Sequence, residues 1–86
     1  MEKQNQYIPL RWPHPVIVRI GFGACEKVDG PDKALEMLQY RWPADRGLHY
    51  ARASQACEGA AERNSSPLVA REEFIGAALE AAVLAS

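Results

Sequence analysis

The sequence predicts an α+β fold, a short antiparallel β-hairpin packed against three α-helices in the order ββααα, on three observations. A β-branched run, Val16-Ile17-Val18-Arg19-Ile20, precedes a Gly-Phe-Gly turn signal. Three stretches with apolar residues at spacings of three and four follow, each opened by a cap or proline signal. With 86 residues the chain has room for one core and no second domain.

Residues 1–6 are polar and aperiodic and are expected to be a disordered terminus, leaving 7–86 as the single domain. Tyr7 to Trp12 reads as extended, and a third strand forms if Tyr7 to Leu10 joins the sheet. Pro13-His14-Pro15 excludes helix, because each proline drives the residue before it out of the α region. In the first strand Val16, Val18 and Ile20 share one face; Gly21-Phe22-Gly23 turns the chain, and Ala24 to Val28 returns as a weaker strand. Two strands are not stable alone in water, so helices must cover their apolar face.

The first helix starts at Asp29-Gly30-Pro31-Asp32, with proline at the first helical position and an acid at the positive end of the dipole. Its inner stripe is Ala34, Leu35, Leu38 and Trp42, and Pro43 ends it near Arg41. Asp45 to Gly47 caps a second helix, about Leu48 to Arg63, whose stripe of Tyr50, Ala53, Cys57, Ala60 and Ala61 admits a close neighbour. Ser66 caps and Pro67 opens a third helix, which the apolar pattern carries to about Leu84.

That last helix holds the most information. From Phe74 to Ala85 ten of twelve residues are Ala, Leu, Ile, Val or Phe, so the helix is apolar around most of its perimeter and should be buried on more than one side. A domain this small has few internal partners to offer. A homodimer through this helix is the economical solution, with Phe74, Ile75, Ala78, Leu79, Ala82 and Val83 as the expected interface; the other reading is that the first two helices sandwich it within a monomer.

Composition excludes more than it assigns. A net charge of −1 with pI near 6.1, spread evenly over the two halves, lacks the basic field that a phosphate backbone requires, so no nucleic-acid partner is expected. The longest apolar stretch is twelve residues and contains Glu80, against about 20 for a membrane span. Cys25 and Cys57, without an N-terminal apolar segment, read as reduced thiols of a cytoplasmic protein.

No catalytic constellation, cofactor site or metal site emerges. Cys25, Cys57, His14 and His49 lack the close ligand pairs of structural zinc sites, and Gly21-Phe22-Gly23 is only part of a dinucleotide fingerprint, with no helix after it. Arg11-Trp12-Pro13 recurs as Arg41-Trp42-Pro43. Both tryptophans can anchor the core edge, while Arg11, Trp12, Arg41 and Trp42 together form the candidate partner surface, since Trp and Arg dominate interface hot spots. Arg71 stands near the start of the third helix, where a cation meets the positive end of the dipole, so a compensating partner is expected: Glu58, Glu62 or a carbonyl.

Trp12, Pro15-Val16, Ala34, Leu38, Trp42-Pro43, Gly47, Ala53, Cys57, Ala70-Arg71, Phe74-Ile75, Ala77-Ala78 and Glu80-Ala81 together resemble the short proteins grouped as domain of unknown function 982, over about residues 8–84. The resemblance implies a cytoplasmic bacterial protein, mostly of rhizobial alphaproteobacteria, and brings no activity, cofactor or functional residue. Members often have Gly between the second and third helices, where this chain offers Asn64. The function expected from these readings is a non-catalytic protein-interaction or regulatory module that homodimerises. The alternative is a small-molecule sensor or minor enzyme with a pocket near Trp12, Trp42 and His49.

Overall fold

A computed structural model describes residues 10–85. The expected disordered terminus, and all but Leu10 of the segment that could have added a strand, lie outside the described residues. Within them the order is ββααα as the pattern requires: β1 (Val16–Val18), β2 (Glu26–Val28), α1 (Pro31–Tyr40), α2 (Leu48–Ala61) and α3 (Pro67–Glu80).

β1 and β2 are antiparallel, with Val16 opposite Val28, Ile17 opposite Lys27 and Val18 opposite Glu26. Both strands are shorter than the β-branched run suggests. The chain leaves the ladder at Arg19, whose side chain reaches across the turn to the Gly23 carbonyl at 2.8 Å, and Gly21 takes the left-handed conformation (φ 65°) that the turn demands. Val16, Val18 and Val28 point into the core.

The largest departure from expectation is the end of α3. It stops at Glu80 rather than near Leu84, and residues 83–85 turn back beside β1. Arg19 N–H donates to Val83 O at 2.9 Å, Ala85 N–H donates to Ile17 O at 2.8 Å, and Val18 bridges Leu84. A second pairing on β1, a single bridge, therefore comes from the C-terminal segment. The physical reason is the edge of β1: its N–H and C=O groups need partners, and that demand outweighs the helix propensity of an alanine-rich tail.

The reversal is a Schellman turn, with Val83 N–H on Ala78 O at 2.9 Å and Ala82 N–H on Leu79 O at 3.1 Å. It forces Ala82 to φ 60°, which costs an L-residue about 1 kcal/mol. Ala82→Gly is accordingly expected to raise stability by roughly 0.5 to 1 kcal/mol, part of the gain being offset by the freer unfolded chain. A thermal melt checks it; an unchanged or lower Tm would place the strain elsewhere. α2 ends in the same way, Asn64 N–H donating to Gly59 O at 2.7 Å, and the left-handed residue is Arg63 (φ 63°), not Asn64.

Phe74 is the centre of the core. It is fully buried, with the Trp12 and Trp42 rings 6.0 and 5.5 Å away and tilted against it. Ala53, Cys57 and Ala60 of α2 face Ala70, Ala77 and Ala78 of α3, all at 0% exposure, so the small stripe read from the sequence is the surface along which these helices close. In α1, Met37 is buried together with Ala34 and Leu38, while Leu35 lies at the rim.

Candidate functional site: the outer face of the α2–α3 hairpin

The two long helices are antiparallel, because each end of one is tied to an end of the other. At one end the Glu80 carboxylate accepts three backbone N–H groups at the start of α2: Gly47 and Tyr50 on Oε1 at 3.0 and 3.1 Å, and His49 on Oε2 at 3.0 Å. At the other end Gly59 lies against Ser65, whose Oγ would stand 2.6 Å from a Cβ placed there and would have to rotate away. Ser66 Oγ accepts Leu68 and Val69 N–H, as the cap signal predicts, and fixes where α3 begins.

Glu80 thus does for α2 what a side chain at the cap position would normally do; Gly47 carries none, and a Cβ there would come 2.6 Å from Glu80 Oε2. These N–H donors, His49 foremost, hold the Glu80 carboxyl below its ordinary pKa. The N-cap falls at Gly47, within the expected Asp45 to Gly47 capping region, but the side chain that accepts the free N–H groups comes from another helix.

The solvent side of α3 is the unusual surface. At about 100° per residue, Leu68, Val69, Glu72, Gly76 and Leu79 fall in one arc opposite the buried Ala70, Phe74, Ala77 and Ala81. Leu68, Val69 and Leu79 are 57, 51 and 63% exposed. Between this arc and α2 runs a shallow groove of about 560 Å³, floored by Ala56 and Val69, with Arg52 and Gln55 on one wall and Ser65 and Glu73 at the other.

The residues expected to form a homodimer interface divide. Phe74 and Ala78 are fully buried and Val83 is 8% exposed, all three covered by the chain's own elements and out of reach of a second copy. Ile75 is partly buried, whereas Leu79 and Ala82 are open. The exposed large apolar residues of α3 are therefore Leu79, from the expected set, and Leu68 and Val69 at the helix start, outside it.

The candidate partner surface is corrected as well. Trp12 and Trp42 are each 4% exposed and consumed by packing on Phe74, while Arg11 pairs with Asp29 at 3.4 Å and Arg41 grips Glu26 through two hydrogen bonds of 2.8 and 2.5 Å. Trp12 Nε1–H donates to Pro67 O at 2.7 Å, tying the N-terminal segment to the first turn of α3; the Trp42 indole N–H has no acceptor. The expected partner of Arg71 is the His14 carbonyl, at 2.8 Å, not Glu58 or Glu62.

Nor do Trp12, Trp42 and His49 line a shared pocket: the indoles fill the space around Phe74, and His49 is exposed over Gly76. Cys57 is buried on Ala70 O, which pushes its thiol up to about 12 and keeps it protonated, while Cys25 is exposed; both are free. Among the described residues no three His, Cys, Asp or Glu side chains gather as a metal site would require, and no helix is long and apolar enough to cross a membrane.

A family model described as "Protein of unknown function (DUF982)" matches residues 14–85. The chain belongs to the DUF982 family. Its fold is similar to the NMR structure of Agrobacterium tumefaciens protein Atu1219, at 26% identity and a TM-score of 0.76, covering 100% of this chain and 87% of that one. No curated protein matches. For a DUF982 chain, then, function has to be argued from the surface itself.

Proposed function

We propose that this DUF982 chain is a non-catalytic interaction or regulatory module that docks through its last helix, the working surface being the outer face of the α2–α3 hairpin. One observation carries the reading: four of the six large hydrophobic side chains exposed among the described residues, Leu48, Leu68, Val69 and Leu79, belong to these two helices. Scattered exposed apolar residues need no explanation, but a helix arc holding three of them with Glu72 as its one charge is the composition of a docking surface. Two free cysteines, one of them exposed, suit a protein of the cytoplasm.

Isotope-labelled protein titrated with a lysate of its native cell, and separately concentrated alone, tests the face without presupposing the partner. Amide broadening is expected on Leu68, Val69, Glu72 and Leu79. Broadening centred on the β-hairpin, or none under either condition, would overturn the reading.

A further inference from the structure

The structure points to the occupant of that face: we infer that it is a second copy of this chain, docked hairpin against hairpin about a two-fold axis so that Arg52 of each copy meets Glu73 of the other. The inference rests on the reading of the α2–α3 face as a docking surface and adds its partner and its register.

The charges argue for it. Arg11, Arg19, Arg41, Arg46 and Arg71 are each hydrogen-bonded to a carboxylate or carbonyl of the chain, and Arg63 is engaged as well. Arg52 alone among the described arginines makes no hydrogen bond or ion pair, and Glu73, which lines the same groove, makes none either. The groove thus carries one cation from α2 and one anion from α3, neither neutralised within the subunit.

A two-fold axis makes such a surface its own complement. An isologous contact sets each residue's environment against the same patch rotated by half a turn, so a patch with a positive and a negative wall meets its opposite on both sides at once. A polyanion or a polycation would satisfy one wall and be repelled by the other. The apolar arc supplies the adhesive part: Val69 lines the groove, and Leu68 and Leu79 stand exposed on the same arc of α3.

The size of the face sets the strength. Two helices of 14 residues span about 21 Å, and with their spacing the hairpin is about 20 Å across. That is roughly half of the ~800 Å² per partner of a standard interface, the size class of weak, transient contacts.

Sedimentation of the full chain from micromolar to near-millimolar concentration reads this directly, with circular dichroism confirming that each variant is folded. Wild type is expected to pass from monomer to dimer. Arg52→Glu and Glu73→Arg should each weaken self-association at least about tenfold, because the two-fold repeats every new repulsion. Mixed one to one, the two variants should form a heterodimer. The acid introduced at position 52 of one then faces the base introduced at position 73 of the other, and the unchanged Glu73 of the first faces the unchanged Arg52 of the second.

Wild type that remains monomeric, single variants that dimerise like wild type, or a mixture that stays monomeric would each overturn the two-fold pairing. If one of these occurs while lysate still broadens Leu68, Val69 and Leu79, only the self-pairing is lost. If lysate also leaves those amides unchanged, the docking surface itself is lost.

Discussion

Replacing Phe74 by alanine is expected to remove about 3 to 5 kcal/mol of stability, the range for truncating a buried aromatic side chain. The upper end is expected here for two reasons. Phe74 is fully buried, and its ring is contacted by both tryptophans, so its loss leaves a cavity bordered by two large, rigid rings that cannot collapse onto an alanine. Against a total of roughly 4 to 13 kcal/mol for a chain of this length, that is enough to leave a substantial unfolded population. Phe74→Leu keeps most of the volume and should cost about 1.5 kcal/mol or less. Urea denaturation followed by tryptophan fluorescence measures both, because the reporters are the residues in contact with the site. A cost under about 1 kcal/mol for the alanine variant would show that the core is not centred on Phe74.

The same three rings show what the sequence can and cannot express. Trp12-Pro13 and Trp42-Pro43 are the residue types of a binding hot spot and equally those of a core edge, and nothing within either tripeptide separates the two uses. The deciding fact is the position of Phe74, 62 and 32 residues further along the chain, between them in space. Features governed by neighbouring residues were legible: Pro31 and Pro67 at helix starts, the Ser66 cap, and the small inner stripe of α2. Features governed by a distant partner were not. α3 looks helical to Leu84 because alanine and leucine favour helix, yet Val83 to Ala85 answer the hydrogen-bonding demand of β1. Arg71 lies between these cases, since its unfavourable place on the helix announces that a partner exists without naming the His14 carbonyl.

The docking face was legible in kind and misplaced in detail. A helix apolar around most of its perimeter does carry more greasy surface than its neighbours cover, as Leu68, Val69 and Leu79 show. Which residues remain uncovered depends on where the other elements pack. Periodicity does not report that two distant tryptophans close over Phe74, that the chain turns back at Val83, or that Leu68, Val69 and Leu79 stay open.

Glu80→Gln is expected to lower Tm by several degrees at neutral pH, and to do so by loosening a helix to which Glu80 does not belong. The charged carboxylate satisfies three donors at the start of α2 and sits at the positive end of that helix's dipole; a neutral amide offers one oxygen and no charge. The pH dependence separates this from a general packing defect. Those N–H donors lower the folded-state pKa of Glu80 from the ordinary value of 4.5, so the unfolded chain binds its proton first. The stabilisation is therefore complete above 4.5 and is lost as pH falls from there through the depressed folded pKa. Wild type should lose Tm steeply across that window. The glutamine variant should lose less and converge with wild type once the carboxyl is protonated in both states. It will not be flat, because the Arg41 guanidinium holds Glu26 below its ordinary pKa and contributes a slope of the same sign. Circular dichroism melts from neutral to strongly acid pH test the attribution. An acid limb of the variant superimposable on that of wild type would mean that the start of α2 does not depend on the charge of Glu80.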